Sequence, residues 1–220
     1  MRVYHLLSSN YGLDDIAKRR LKIARISDLN DPFELLAAEL SDKLHRDLWR
    51  RWRNAQETRW GMLCFSKTWS NPVLWSHYGE RHRGIALGFD VDDEYLIKVA
   101  YTKKRHKIDV FALEQDGRLS EDLMLKFMQT KFEDWRYEKE VRVFANLDNK
   151  DVDTGLHFFA FDDIVKLKEV VVGPLSDVTE DDVREHLKPE DQGVRVIKAR
   201  LAFNSFKVVE NQAGFKYAKT

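Results

Sequence analysis

One cysteine, four prolines and ten glycines are all that this chain of 220 residues contains of the types that staple or punctuate a backbone. Cys64 alone closes no internal disulfide and assembles no thiolate zinc site, which excludes a disulfide scaffold and a zinc ribbon. Its setting in Met62-Leu63-Cys64-Phe65 is apolar and reads as a small buried hydrophobe rather than a nucleophile. With so little Pro and Gly there is no linker, low-complexity tract or internal repeat, so residues 1–220 read as one continuous domain.

A dominant sign of charge is also missing. The 37 basic and 37 acidic side chains cancel, which removes any whole-molecule attraction to nucleic acid or to an anionic membrane and leaves only local patches. Apolar runs such as Val170-Val171-Val172 fall far short of the roughly 20 residues that cross a bilayer. Met1 leads straight into Val3-Tyr4-His5-Leu6-Leu7 with no basic n-region or cleavage site, so a cytoplasmic protein without membrane association is expected. No G-x-G-x-x-G or G-x-x-x-x-G-K-[ST] follows a strand, which argues against a Rossmann dehydrogenase and a P-loop kinase. Among seven histidines the only close cluster is His77, Glu80 and His82. Residues five apart lie about 140° around a helix, so the two histidines do not share a face, and no metal is expected.

What is present is a mixture of strand and helix patterns without the regular alternation of a parallel α/β fold, hence an α+β class. Strands are expected at the N-terminus, over Leu21–Arg25, Trp60–Phe65, Gly84–Val91, Ile97–Tyr101, around Val141 and Val143, and four more times from His157 onward. A short helix is expected over Asp14–Arg20. Leu36, Leu40, Leu44 and Leu48 recur every four residues, which predicts a long helix from Phe33 to Glu57 with that stripe in the core. Asn71-Pro72 is an N-cap followed by proline at the first helical position, and Thr179-Glu180-Asp181-Asp182 opens another helix. Leu123, Phe127 and Phe132 predict a helix from Ser120 to Asp134.

Two segments attract attention as nucleic-acid contacts. Arg46-Asp47-Leu48-Trp49-Arg50-Arg51-Trp52-Arg53 interleaves arginines with tryptophans, so that Arg46, Arg50 and Arg53 would meet phosphates and Trp49 or Trp52 a base. Lys103-Lys104-Arg105-His106-Lys107 is a second basic run. The alternative reading is a solvated helix face with its tryptophans packed inward, plus a charged loop. In Tyr137-Glu138-Lys139-Glu140-Val141-Arg142-Val143 strand alternation sets the valines on one face and Glu138, Glu140 and Arg142 on the other. That charged row either lies in water, as an ion-pair row on a noncatalytic scaffold, or lines a cleft where carboxylates stabilise a cationic transition state.

Asn30-Asp31-Pro32-Phe33-Glu34, Cys64-Phe65-Ser66, Leu74-Trp75-Ser76-His77-Tyr78, His82-Arg83-Gly84-Ile85-Ala86-Leu87-Gly88-Phe89 and Tyr137 to Arg142 together resemble the bacterial domain of unknown function twenty-nine seventy-one, a family whose name carries no activity. More remotely, an opening strand with His5, the strand end Phe65-Ser66-Lys67-Thr68 and the late Glu138-Lys139-Glu140 resemble the three active-site strands of the ADP-ribosyltransferases. Lys67 in the trio, and a histidine where many of those enzymes carry arginine, depart from their pattern. The resemblance implies a mixed, mostly antiparallel split sheet with peripheral helices, and NAD as substrate without a Gly-rich loop. By the same resemblance His5 would hold the ribose or phosphate, Ser66 and Thr68 would brace the site and Tyr78 would stack on nicotinamide. Glu140 would be the key acid, and Glu138 would orient a macromolecular acceptor, protein or nucleic acid. The implied setting is bacterial defence or toxin–antitoxin biology. The differing alternative is a noncatalytic nucleic-acid-binding or regulatory module of such a system, and oligomeric state stays open.

Overall fold

Val3, Leu87, Phe89, Val141, Val165 and Val170 come from distant parts of the chain and are all essentially without solvent exposure, because the strands that carry them are neighbours in one sheet. The computed structural model describes residues 1–107, 121–148, 150–162 and 164–217. In chain order the elements are β1 (Arg2–Leu7), α1 (Ser9–Lys18), β2 (Arg20–Lys22), β3 (Ala24–Arg25), α2 (Lys43–Glu57), β4 (Trp60–Ser66), α3 (Pro72–His77), β5 (Ile85–Val91) and β6 (Ile97–Lys98). There follow β7 (Ala100–Thr102), α4 (Glu121–Gln129), β8 (Thr130–Phe132), β9 (Glu140–Asn146), β10 (Phe158–Ala160), β11 (Val165–Val172), α5 (Glu180–His186), β12 (Arg195–Leu201) and β13 (Val208–Glu210).

The main sheet runs β13-β12-β11-β5-β1-β4-β9-β6, with β3 also on β4. Only the β11–β12 pair is parallel in it; the other pairings are antiparallel. This is a single mixed α+β fold with an open, mostly antiparallel sheet. Two ribbons stand apart, β2 with β10 and the parallel pair β7 with β8. Ile16 of α1 and Val183 of α5 cover one face of the sheet together with Phe65, Phe89 and Val170. Leu74 and Trp75 of α3 cover the other, against Leu6, Ala86 and Val171. Central strands are therefore buried on both sides, which is why β5 reads as a nearly unbroken apolar run. No helix among the described residues is long and apolar enough to cross a membrane.

Local signals for caps translate directly into structure. The Asn71 side chain accepts from the Val73 N–H with Pro72 beginning α3, and Thr179 and Asp182 cap α5 reciprocally. Longer-range expectations need correction. The leucine-stripe helix does not begin at Phe33: Leu35 adopts a left-handed φ of 58°, which breaks a right-handed helix, and α2 starts only after Asp42, whose carboxylate accepts from the Leu44 and His45 N–H groups. Leu44 is half exposed, because the buried face of α2 is set by Trp49 and Trp52 instead. The later helix ends at Gln129, and Thr130–Phe132 turn into a strand beside β7; its expected start at Ser120 lies outside the described residues. α1 begins at Ser9, ahead of Asp14, and the Leu21–Arg25 stretch divides between two sheets. The strand expected over Ile97–Tyr101 likewise divides, β6 joining β9 and β7 joining β8.

Candidate functional site

A join between strands makes the cavity. β1 and β5 pair over six positions and β4 and β9 over seven, whereas β1 and β4 meet at one, Tyr4 opposite Ser66. Away from that pair the His5 side chain bridges the strands, its Nδ1 lying 2.9 Å from the Cys64 carbonyl oxygen. A carbonyl can only accept, so Nδ1 carries the proton and Nε2 of the neutral ring is left as an acceptor. Burial lowers the His5 pKa, against the raising effect of the Cys64 bond. Beside this joint lies a cavity of about 210 Å³, walled by Tyr4, His5 and Leu6 from β1 and by Met62, Cys64 and Ser66 from β4.

The remaining wall is charged. Lys131 of β8 donates to Glu138 Oε2 at 2.6 Å and to Glu140 Oε2 at 2.8 Å, and lies 3.3 Å from Glu34 Oε1. Arg142 of β9 donates to Glu140 Oε1 at 2.7 Å, to Glu34 Oε1 at 2.8 Å and to the Met128 carbonyl at 3.0 Å. All five side chains are buried, Arg142 completely. Three carboxylates thus face two cations. Glu34 Oε2 has no hydrogen-bond partner among the described residues although it is buried and its residue lines the cavity. The Tyr78 hydroxyl accepts from the Asn30 amide at 2.7 Å and donates to Glu138 Oε1 at 2.5 Å.

Backbone strain frames the cluster. Lys139, between Glu138 and Glu140, has φ 48°, and Leu35, next to Glu34, has φ 58°. Neither is glycine, and such conformations persist only where surrounding contacts hold them. The Ser66 hydroxyl, bonded to the Glu138 carbonyl, and the Tyr101 hydroxyl, accepting from the Glu140 N–H at 2.8 Å, are two of those contacts.

Burial works against the charge of Lys131, yet the three carboxylates outweigh it and raise the lysine's pKa. Burial alone would raise Glu140, but Arg142 and Lys131 hold its pKa down to about 2. For Glu138 burial prevails over Lys131 and the pKa is raised. Tyr78 is raised by burial and then by the Glu138 charge, so its phenol keeps its proton. The two glutamates, two residues apart, are therefore unlike: Glu140 is a carboxylate saturated by cations, while Glu138 sits nearer to taking up a proton.

His5, Ser66, Tyr78, Glu138 and Glu140 all line this one cavity. Thr68 does not; its hydroxyl bonds Ser70 at 2.9 Å and accepts the Ser70 N–H, shaping the turn ahead of α3. The charged row of Glu138, Glu140 and Arg142 lies in the interior and not in water. Trp49 and Trp52 are buried against Phe127, with the Trp49 and Phe127 ring centroids 4.3 Å apart, so neither offers a face to a base. Arg46 donates to the Leu40 and Ser41 carbonyls and Arg50 to Asp47, while Arg53 is partly covered. Among the described residues no group of His, Cys, Asp or Glu is arranged to hold a metal ion.

Sequence reasoning missed Lys131 and Glu34. Lys131 sat within an expected helix, and nothing local marks it. Glu34 carried a signal, as the last residue of Asn30-Asp31-Pro32-Phe33-Glu34, without a role. A family model described as protein of unknown function (DUF2971) matches residues 74–143, a stretch that includes Tyr78, Lys131, Glu138, Glu140 and Arg142. Over that stretch the chain is similar to this family, whose description states no activity. No curated protein and no solved structure gives a significant match.

Proposed function

We propose that the cavity receives the nicotinamide–ribose end of NAD and that the protein transfers ADP-ribose to a macromolecular acceptor. The observation that carries this reading is the excess of buried carboxylate at the cavity wall: Glu34, Glu138 and Glu140 against Lys131 and Arg142, with Glu34 Oε2 unpaired among the described residues. An unpaired buried carboxylate oxygen is costly, and a ligand that brings positive charge and hydrogen-bond donors relieves that cost. The pyridinium ring of NAD brings the charge, and its carboxamide and ribose hydroxyls bring the donors. A cavity of about 210 Å³ is below the roughly 300 to 1,000 Å³ of sites that enclose whole drug-sized ligands, which favours one end of a dinucleotide over the entire molecule.

In this chemistry the bond from ribose C1′ to the ring nitrogen breaks and its electron pair leaves with neutral nicotinamide, so positive charge moves onto the sugar. Carboxylates near the sugar stabilise that charge more in the transition state than in the ground state. The acceptor's nucleophilic atom then bonds to C1′, and its proton passes to a carboxylate. Glu138 suits proton acceptance better than Glu140, because burial raises its pKa while Arg142 and Lys131 hold that of Glu140 down. Glu140, saturated by Arg142 and Lys131, serves to position Lys131. His5, with Nε2 as acceptor, suits a ribose hydroxyl.

The test is nicotinamide release from labelled NAD, with and without added DNA, RNA and cell lysate. Glu138→Gln is expected to cut the rate roughly 100-fold while retaining the far-UV and near-UV spectra of the wild type. A folded wild-type protein that neither binds NAD nor releases nicotinamide in any mixture would sink the reading.

A further inference from the structure

The β7–β8 ribbon has two faces, and the cavity uses one of them. Tyr101 and Lys131 are register partners, and both turn toward the carboxylates, Tyr101 through its hydroxyl on the Glu140 N–H and Lys131 through its ammonium. The next register pair, Thr102 and Phe132, faces the other way, because side chains alternate along a strand. On that side a second cavity, a groove of about 290 Å³, is bordered by Phe33 and Phe132 and by the consecutive cations Lys103, Lys104 and Arg105.

Single exposed phenylalanines need no explanation. Here two of them, 54% and 43% exposed, border the same groove under three cations. The Arg105 guanidinium carbon lies 5.1 Å from the Phe33 ring centroid, a distance at which the cation and the ring face attract. Lys103 has a loose acidic neighbour, Glu133 at 3.9 Å, and Lys104 is exposed with no acidic partner among the described residues. Exposed aromatic faces supply stacking platforms, and adjacent cations supply phosphate contacts. On α2 the corresponding tryptophans are buried and cannot do this.

We propose that this groove binds single-stranded nucleic acid, with bases on Phe33 and Phe132 and phosphates on Lys103, Lys104 and Arg105. A single strand fits and a duplex does not, because duplex bases are stacked on each other and present no open face. Lys131 lines both this groove and the carboxylate-walled cavity, so a strand held here runs along the wall of that cavity. Under the NAD reading the strand is the acceptor; its binding goes beyond that reading and needs no NAD.

The experiment is fluorescence anisotropy, without NAD, using labelled DNA and RNA single strands of about 12 nucleotides and a duplex of the same length. Single strands of one or both sugars are expected to bind about tenfold or more tighter than duplex, and Phe33→Ala or Phe132→Ala to weaken them about fivefold or more. Phe33→Leu, which keeps an apolar side chain but removes the ring, is expected to lose as much as Phe33→Ala. Lys104→Ala should reduce the slope of log affinity against log salt by about 0.7. The proposal is overturned if neither single strand binds at low salt. Equal binding of duplex with silent phenylalanine variants, or displacement of the strand by polyglutamate at equal charge, also overturns it. So does loss of binding on Arg46→Ala and Arg50→Ala with the groove variants silent. Because NAD is absent throughout, failure of nicotinamide release and failure of strand binding are separate results.

Discussion

Arg46 to Arg53 on α2 and Trp135 to Arg142 at the entry to β9 both interleave charged with aromatic side chains, and the fold sorts them in opposite ways. On α2 the tryptophans go in and the arginines stay at or near the surface. At β9 the charges go in, Glu138, Glu140 and Arg142, while Trp135 and Tyr137 keep partial exposure. A helix face of aromatics needs only apolar neighbours to be buried, and Phe127 provides one. Buried charges need partners of opposite sign with hydrogen-bonding geometry, and those come from Lys131 and Glu34. The first kind of burial is a stability device. The second leaves a carboxylate in excess beside a cavity.

The sharpest way to break this comparison is to remove the most buried cation. Arg142→Ala leaves Glu34 and Glu140 without it, and about 3–5 kcal/mol of stability should be lost in urea unfolding; a loss below about 1 kcal/mol would mean the cluster is solvated. On α2, Trp49→Ala should cost about 3 kcal/mol through the cavity it leaves, and a near-neutral result would return the tryptophan to the surface.

A smaller effect is read in pH. Glu140 is held at about 2 against its ordinary 4.5, so its stabilisation is full above about pH 4.5 and is lost as pH falls toward 2. Glu138 is shifted upward, so its proton uptake favours the folded state as pH falls toward about 4.5, and that gain offsets part of the loss that Glu140 brings below it. Acidification from about pH 6 to about pH 3 should therefore cost the wild type about 1–2 kcal/mol, and Glu138→Gln, with no proton to take up, should lose more. Identical pH profiles would show that Glu138 is not part of the cluster's titration. Smallest of all, Arg50→Ala breaks an exposed pair with Asp47 and should change stability by less than about 0.5 kcal/mol; a larger loss would mean that α2 stores stability in its charges after all.

Much of the molecule was legible where the physics is local. Asn71-Pro72 and Thr179 to Asp182 cap helices because their own side chains bond the next turn. β1, β4, β5 and β9 were readable from short apolar runs, and strand alternation set Glu140 and Arg142 apart from Val141 and Val143. The leucine stripe misled because Leu36, Leu40, Leu44 and Leu48 satisfy a helical period that the left-handed Leu35 and the cap at Asp42 interrupt.

The sequence by itself determined an α+β chain that closes no internal disulfide, and a remote family resemblance singled out His5, Ser66, Tyr78, Glu138 and Glu140 as candidate site residues. Only the tertiary structure decided that they share a cavity, that Thr68 belongs to a turn, and that Lys131 and Glu34 complete the charged wall. Arg142 and Glu34 are 108 residues apart in the chain and 2.8 Å apart in space. No periodicity, cap or motif spacing carries that pairing, because it depends on how β9 and the turn that carries Glu34 are brought together by the rest of the fold.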